Sequence, residues 1–493
     1  MSKQDYKIAV IDLGKTNKKI VIFSPDLEII SKESTQIEEK NIEGIISDDI
    51  LKINEWILSV LKEKNSKYKI SVISPTTFGA TVVSIDNTGN LVFPVISYTN
   101  EPEEKTRKKF YDIFGKKEEI YLKTATPGYG QLLNAGLTLF WMKETNPEKW
   151  NKIKHILFLP QYEGYFFTGK KAVEYTSIGC HTYLYDFKHK NWSNIAREIG
   201  VKIPKKISLP WSVLGNLKPE ISNLTGLNKN CKVTVGIHDS NASLFPYLLK
   251  KKRNFLLAST GTWCVFMYPG ADFRLSVEDM YKDTLYYIDP FGKPVRASRF
   301  KGGEEHDYYV KLIESKYKGN VLKLSLDIKI LNSIISENKC FVIPTLTPGS
   351  GLFPYSKPEI IEKDKFYQSM EIAYHVLCLS LSIQSYFAIK QVIGEKKNIP
   401  IFVEGGFRNN SIYMSILSAL FPENKLISTS IQEATSLGAA ICGKCAYENI
   451  APYDIDLKLI NIDEKPIKKP NINRKLLEKY IDKFKNFCER GKK

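Results

Sequence analysis

Residues 7–26 read KIAVIDLGKTNKKIVIFSPD. An apolar run ends in a carboxylate, Asp12, turns through Gly14, Lys15, Thr16 and Asn17, and resumes as a second apolar run. Two Val- and Ile-rich runs joined by a short polar segment predict a β-hairpin. The turn is longer than the Asn-Gly or Asp-Gly pair that tight hairpins favour, and it sets Asp12 at a strand end just ahead of a glycine. Gly14 lets the backbone come close to a ligand. Backbone N–H groups, with the Thr16 hydroxyl, could cradle a phosphate there, and Asp12 could hold a hydrated Mg2+. Read alone, the stretch is an ordinary hairpin before it is a phosphate site, since short Gly motifs recur without a ligand.

The pattern occurs twice. Residues 254–270, NFLLASTGTWCVFMYPG, again run apolar, then Gly-containing and polar, then apolar, and Gly261 lies about half the chain beyond Gly14. So long a period is no solenoid repeat; it predicts two similar domains facing each other across a cleft. Ser259, Thr260, Gly261 and Thr262 would supply a second set of small donors, so that two hairpins clamp a nucleotide's phosphates from both sides. Around each hairpin, strand-like runs (YKISVIS, 68–74; IPIFVEGG, 399–406) alternate with helix-like ones. Ile50, Leu51, Ile53, Ile57, Leu58 and Leu61 follow a 3.6-residue period, and 366–394 reads as one long amphipathic helix. The class is therefore α/β. A boundary is expected near 245–253, where an apolar segment gives way to a basic one, dividing the chain into domains 1–248 and 249–493.

Composition agrees with this division. At 493 residues the chain exceeds one ordinary core, and 43% hydrophobic content is ample for two. Its apolar runs read as shorter than the roughly 20 residues a bilayer requires, and MSKQDYKIAV enters a strand-like run too soon for a signal peptide. A cytoplasmic protein with no membrane partner is expected. The formal charge of +17 is spread along the chain with acidic residues interleaved. Coding bias accounts for it, and a nucleic-acid partner is disfavoured. Only Cys442 and Cys445 show C-x-x-C spacing, and a lone pair is read as helix thiols. The histidines show no metal-ligand spacing.

Three further segments carry site candidates. FVEGGFRNNSIYMSIL (402–417) runs a strand into Gly405-Gly406 and then a helix starting near Asn409 to Ser411, a junction a flat ring or a phosphate can approach. QEATSLGAAICG (432–443) is a helix of small residues suited to close packing. VTVGIHDSNASLFP (233–246) delivers His238 and Asp239 from a strand end, with Ser240 and Asn241 placed to cap the following helix. A carboxylate at a helix start stays ionised, as a base that takes a hydroxyl proton must be; a plain N-cap is the competing reading.

In their order, DLGKTN, GIHDSNAS, STGTW, VEGGFRNN and EATSLGAA resemble the FGGY family of carbohydrate kinases, of the actin-like (ribonuclease H-like) ATPase superfamily, nearest its rhamnulokinases and L-fuculokinases. LFWMKETNP (139–147) and FLPQYEGYFFTGKKAVEYTSIGCHTYLYDFKHKNWS (158–193), with its E-x-T stretch, extend the likeness along most of the chain. The resemblance implies two actin-like ATPase domains and ATP-dependent phosphorylation of a ketose or deoxy-ketose hydroxyl. It implies Mg2+ at Asp12, phosphates at Gly14, Thr16, Asn17, Gly261 and Thr262, adenosine at Gly405, Gly406 and Asn409, and Asp239 as the base. His238 would touch a sugar oxygen, and a homodimer is a family-level expectation. Where rhamnulokinases carry Trp-Gly-x-Asp, this chain has Phe78, Gly79, Ala80 and Thr81, so the sugar pocket at Gly79 and Ala80 lacks a carboxylate. The alternative is a catalytically silent sugar- and ATP-binding regulator of the same fold, which the presence of both Asp12 and Asp239 disfavours.

Overall fold

A computed structural model describes residues 5–200, 202–347 and 351–490. Its contacts gather into two compact units, one of Met1–Lys252, Tyr286–Pro294 and Gln432–Asn461, the other of Arg253–Leu285, Val295–Ile431 and Ile462–Lys493. Both are α/β.

In the first unit the strands Lys7–Leu13 and Asn17–Phe23 form the expected hairpin, antiparallel, with Leu13 opposite Lys18. A third strand, Ile70–Thr77, runs parallel to the first, with Asp12 opposite Thr76. The sheet extends on one side to Ile29–Gln36 and on the other to Lys232–Thr234 and Val213–Asn216. The short strand Ile237–His238 also pairs with Ile70–Thr77, setting His238 opposite Thr77. Every residue of Lys7–Leu13 after the first is buried, as a central strand covered on both faces requires. The helix Ile50–Lys67 starts at Asp49, whose side chain accepts from Lys52 N–H, and buries Ile50, Ile53, Ile57 and Leu61. Leu51, about 100° round the helix from Ile50, is 59% exposed.

The second unit repeats the local plan. Leu256–Thr260 and Cys264–Tyr268 form an antiparallel hairpin, and Ile401–Gly405 runs parallel to the first strand, with Thr260 opposite Gly405. Leu426–Ser430 follows on the far side. The helix Met370–Ile393 is not amphipathic. It is buried without a break from Ala373 to Ser385, because it runs through the middle of this unit's core rather than along its surface. By length and composition it could cross a membrane, but 83% of its apolar window is covered by protein.

The small-residue helix Ala434–Glu448 packs on the first unit's sheet and on the helix Asp239–Lys251. The approach is close: a Cβ on Gly438 would come 1.9 Å from the Ala242 carbonyl oxygen. Cys442 and Cys445 are both buried in this helix, and among the described residues no three His, Cys, Asp or Glu side chains group as metal ligands.

Candidate active site

Asp12 is the last residue but one of its strand, and its side chain is buried. Ser436, on the Ala434–Glu448 helix, donates its hydroxyl to Asp12 Oδ2 at 2.7 Å, and no described residue donates to Oδ1. Burial pushes the Asp12 pKa up to about 6, against the pull of Ser436 and Lys19, and the charge of Asp239 adds to the rise. The turn after Asp12 is closed by Gly14 N–H donating to Asn17 O at 2.9 Å. A Cβ on Gly14 would stand 2.9 Å from that oxygen, so the turn needs glycine for space. Thr16 and Asn17 are exposed.

The turn's lysines point away from that exposed edge. Lys15 Nζ reaches both oxygens of Asp48 at 2.8 and 2.9 Å, Glu39 at 2.5 Å and Ser97 Oγ at 3.0 Å. It also stands over the rings of Phe78 and Tyr98, at 5.0 and 4.9 Å. Lys18, fully buried, donates to the Lys15 carbonyl at 2.7 Å. Lys19 pairs with Glu433 at 2.8 Å, and Lys32 pairs with the same carboxylate. The lysines thus shape the turn from behind.

The helix after His238 begins at Asp239 itself. Ser240 and Asn241 do not cap it; His238 occupies the N-cap position without a side-chain cap bond, and Asp239 is the acid of the first turn. Asp239 Oδ1 accepts from Ser240 N–H and from Ser240 Oγ at 3.3 Å, and lies 3.1 Å from His238 Nε2. Oδ2 receives nothing from the described residues, and the side chain is 30% exposed. Burial raises the Asp239 pKa to about 6, with the Ser240 hydrogen bonds working against the rise. At pH 7 such a carboxylate is ionised in about nine molecules of ten.

Behind His238 stands the E-x-T stretch. Glu174, fully buried, accepts from Thr176 N–H, Ser177 N–H and the Thr176 hydroxyl, and Thr176 Oγ1 in turn accepts from His238 N–H at 2.9 Å. Gly79 lies against the histidine: a Cβ there would meet Cys180 Sγ at 2.5 Å and His238 Nε2 at 2.8 Å. Ala80 follows in the left-handed region at φ 63°. The first unit thereby groups Asp12, Gly14, Gly79, His238 and Asp239 at one end of its sheet.

In the second unit Gly261, Thr262, Gly406 and Asn409 line one cavity of about 390 Å3. Gly405 lies behind it at φ 84°, where a Cβ would stand 1.9 Å from the Thr260 carbonyl oxygen. Thr260 Oγ1 donates to the Glu404 carbonyl and accepts from Phe407 N–H at 3.1 Å. The following helix, Ser411–Leu420, is capped by Asn410, whose Oδ1 accepts from Tyr413 N–H at 3.0 Å. Two further lining residues lie in 296–310, a segment whose polarity suits a cleft wall or a solvated loop alike and to which the sequence reading assigns no role. His306 faces the cavity and hydrogen-bonds Tyr374 OH at 3.2 Å, and a Cβ on Gly303 would come 2.2 Å from the Gly261 carbonyl oxygen. The Gly-Gly pair opening the Gly302–Tyr317 helix was the available signal.

The sequence matches the model of the FGGY family of carbohydrate kinases, N-terminal domain, over residues 7–246, and that of the carbohydrate kinase FGGY C-terminal domain over 252–451. It is 27% identical over 262 residues to a rhamnulokinase of Oceanobacillus iheyensis, covering 51% of this chain and 54% of the relative. It is 22% identical over 292 residues to an L-fuculokinase of Escherichia coli K12, covering 57% and 60%. The chain thus spans between half and two thirds of these relatives' lengths. Among solved structures it superposes on a carbohydrate kinase from Novosphingobium aromaticivorans with a TM-score of 0.80 at 23% identity, over 99% of both chains. It also superposes on Plasmodium falciparum glycerol kinase with ADP, with a TM-score of 0.80 at 17% identity, over 99% of this chain and 98% of the other.

Proposed function

The chain belongs to the FGGY family of carbohydrate kinases, and from that membership we propose that it transfers the γ-phosphoryl group of ATP to a hydroxyl of a ketose or deoxy-ketose of the L-rhamnulose or L-fuculose kind. The observation that carries the proposal is Asp239. It is a carboxylate with one oxygen saturated by donors, the other unoccupied, and a pKa low enough to leave it ionised at neutral pH. Asp239 Oδ2 takes the proton of the sugar hydroxyl. The sugar oxygen forms its bond to Pγ as the bond from Pγ to the β,γ-bridging oxygen breaks, and ADP leaves. Little covalent work falls to the protein, so catalysis is chiefly a matter of holding groups in place and neutralising charge.

The remaining assignments are those that family membership implies, and the geometry within each unit supports them. Asp12 fits Mg2+, an ion that takes one or two carboxylates alongside substrate phosphates, because one of its oxygens receives no donor from the described residues. When bound, the ion would neutralise charge on the phosphates. Gly14, Thr16 and Asn17 are assigned to phosphate, as are Gly261 and Thr262; Gly405, Gly406 and Asn409 are assigned to the adenosine. A cavity of about 390 Å3 falls within the size range of small-molecule sites. Gly79, Ala80 and His238 are assigned to the sugar side. Thr81, whose buried hydroxyl has no hydrogen-bond partner among the described residues, stands where a carboxylate would otherwise offer two acceptors, which favours a sugar with fewer hydroxyls to hold there. The assignment to the cytoplasm follows from the same reading.

The test is coupled ADP release with Mg-ATP across a panel of ketoses, deoxy-ketoses, aldoses and polyols, with Asp239→Asn run in parallel. One sugar should stand out, and the variant should lose about 10³-fold in kcat. The wild-type rate should fall as pH drops through about 6, where Asp239 takes up its proton. ATP binding without turnover of any sugar would favour the silent regulator instead.

A further inference from the structure

The cavity of the second unit is lined by two kinds of surface. Gly261, Thr262, Gly406 and Asn409 supply small polar groups, whereas Leu322 and Leu324 supply aliphatic surface. A nucleotide divides in the same way, into charged phosphates and a flat, largely apolar base, so the base belongs against the leucines. Leu322 is 64% exposed although Val321, just before it, is fully buried in the core. A base lying on Leu322 would take that side chain out of water.

Both leucines lie on a strap between the helices Gly302–Tyr317 and Ile328–Glu337. The strap begins with a short 3-10 turn, Val321–Lys323, tied down by Val321 N–H donating to Glu314 Oε1 at 3.0 Å and closed by Leu324 N–H donating to Val321 O at 3.0 Å. Beyond the turn, 324–327 belongs to neither helix nor strand. At its far end Asp327 N–H donates to His375 Nε2 at 3.0 Å. We propose that His375 is a positioning residue for the nucleotide: through Asp327 N–H it fixes the strap whose Leu322 and Leu324 cover the base.

His375 is buried on the core helix Met370–Ile393, and its neighbour Tyr374 lines the cavity directly. The other ring nitrogen, Nδ1, is 2.7 Å from the Glu371 carbonyl oxygen. A backbone N–H can only donate and a carbonyl can only accept, so the two partners together fix the ring with a lone pair on Nε2 and a proton on Nδ1. Turning the ring over would set carbon against both. The Asp327 carboxylate does not share the task, since it accepts from Lys329 N–H and Ile330 N–H at the start of its own helix. Leu324 and Leu326 also pack on the core, but apolar contact has no direction and lets a chain slide. The hydrogen bond from Asp327 to His375 is what gives the far end of the strap one position. The covering of a base rests on the kinase reading; the anchoring of the strap does not.

Two replacements of His375 separate its nitrogens. Glutamine can carry an acceptor to the place of Nε2, whereas asparagine is too short and reaches only the place of Nδ1. In calorimetric titrations of the full chain, the Kd for ADP should rise about 10-fold in His375→Asn and stay within about threefold of wild type in His375→Gln. The KM for ATP should rise with it while kcat changes by less than about threefold, the mark of a contact that binds ground state and transition state alike. Hydrogen exchange at the Asp327 amide should quicken in His375→Asn and not in His375→Gln. Leu322→Ser, at an exposed site that does not test folding, should weaken ADP and adenosine by the same factor, about 10-fold. Unchanged ADP affinity or unchanged Asp327 exchange in His375→Asn would overturn the inference, as would a loss in His375→Gln as large as in His375→Asn, or full affinity in Leu322→Ser. A wild type that binds no ADP would overturn the kinase reading and the covering of a base with it; a wild type that binds ADP alongside an equally tight His375→Asn would sink the role of His375 alone.

Discussion

Replacing Glu163 with leucine should stabilise the protein, and by more as the pH rises. Glu163 sits on the helix Leu159–Thr168, wholly buried, and neither carboxyl oxygen has a hydrogen-bond partner among the described residues. Leu159 and Phe167, one turn to either side, are themselves core residues, so the carboxyl points into apolar surroundings. Burial alone pushes its pKa from 4.5 up to about 8. The folded protein therefore keeps the proton that the unfolded chain releases above pH 4.5. Stability contributed at this site is full below that pH and is lost progressively as pH rises toward 8. At 1.36 kcal/mol per pH unit, the loss is about 1 kcal/mol at pH 5.5, about 3 at pH 7 and about 4 at pH 8. Leucine has no proton to hold and removes an unpaired polar group as well. Calorimetric melts of wild type and Glu163→Leu at the three pH values are the assay. The gain in the first unit's transition at pH 7 should be roughly 6 °C, taking about 2 °C per kcal/mol for a unit of this size. A gap between the two proteins that does not widen from pH 5.5 to pH 8, or a leucine variant less stable at every pH, would refute the reasoning.

Gly405→Ala should abolish nucleotide binding while leaving the first unit's melting transition in place, because a Cβ at that positive φ runs into the Thr260 carbonyl at 1.9 Å and must push the cavity's two strands apart. Titration of ADP by calorimetry checks this, and wild-type affinity in a folded variant would contradict it. Lys15→Met should cost about 3 kcal/mol by leaving the buried Asp48 without its closest cation, and Asp48→Asn added on top should recover part of that loss. Denaturation of the two variants decides it, and a double variant no more stable than the single one would show that Asp48 was not the reason.

Much of the fold could be read from the chain alone. A hairpin is written in neighbouring residues: the strand runs on either side of Gly14 and Gly261, and the glycines that let each turn close, need no distant partner to be recognised. The start of a helix at Asp239, and the Gly-Gly junction before Ser411, are likewise local. Their type was legible and their boundary was not: Ser240 and Asn241 have good capping side chains, yet the helix takes Asp239 into its first turn. The helix Met370–Ile393 shows the limit of periodicity, since a segment buried all round carries no stripe to read.

What tertiary structure alone decided are the contacts that make the site work. Ser436 meets Asp12 across 424 positions of sequence, and Thr176 meets His238 across 62. No spacing rule links such residues, because the path between them runs through packing. The same holds for the return of 432–461 to the first unit, and for Glu163, which in sequence is only one acid among aromatic neighbours. Residue types and their order were enough to determine strands, turns and a family. Burial, on which each shifted pKa here depends, is a property of the assembled core, and so the protonation states of Asp12, Glu163, His238 and Asp239 were set only when the chain closed around them.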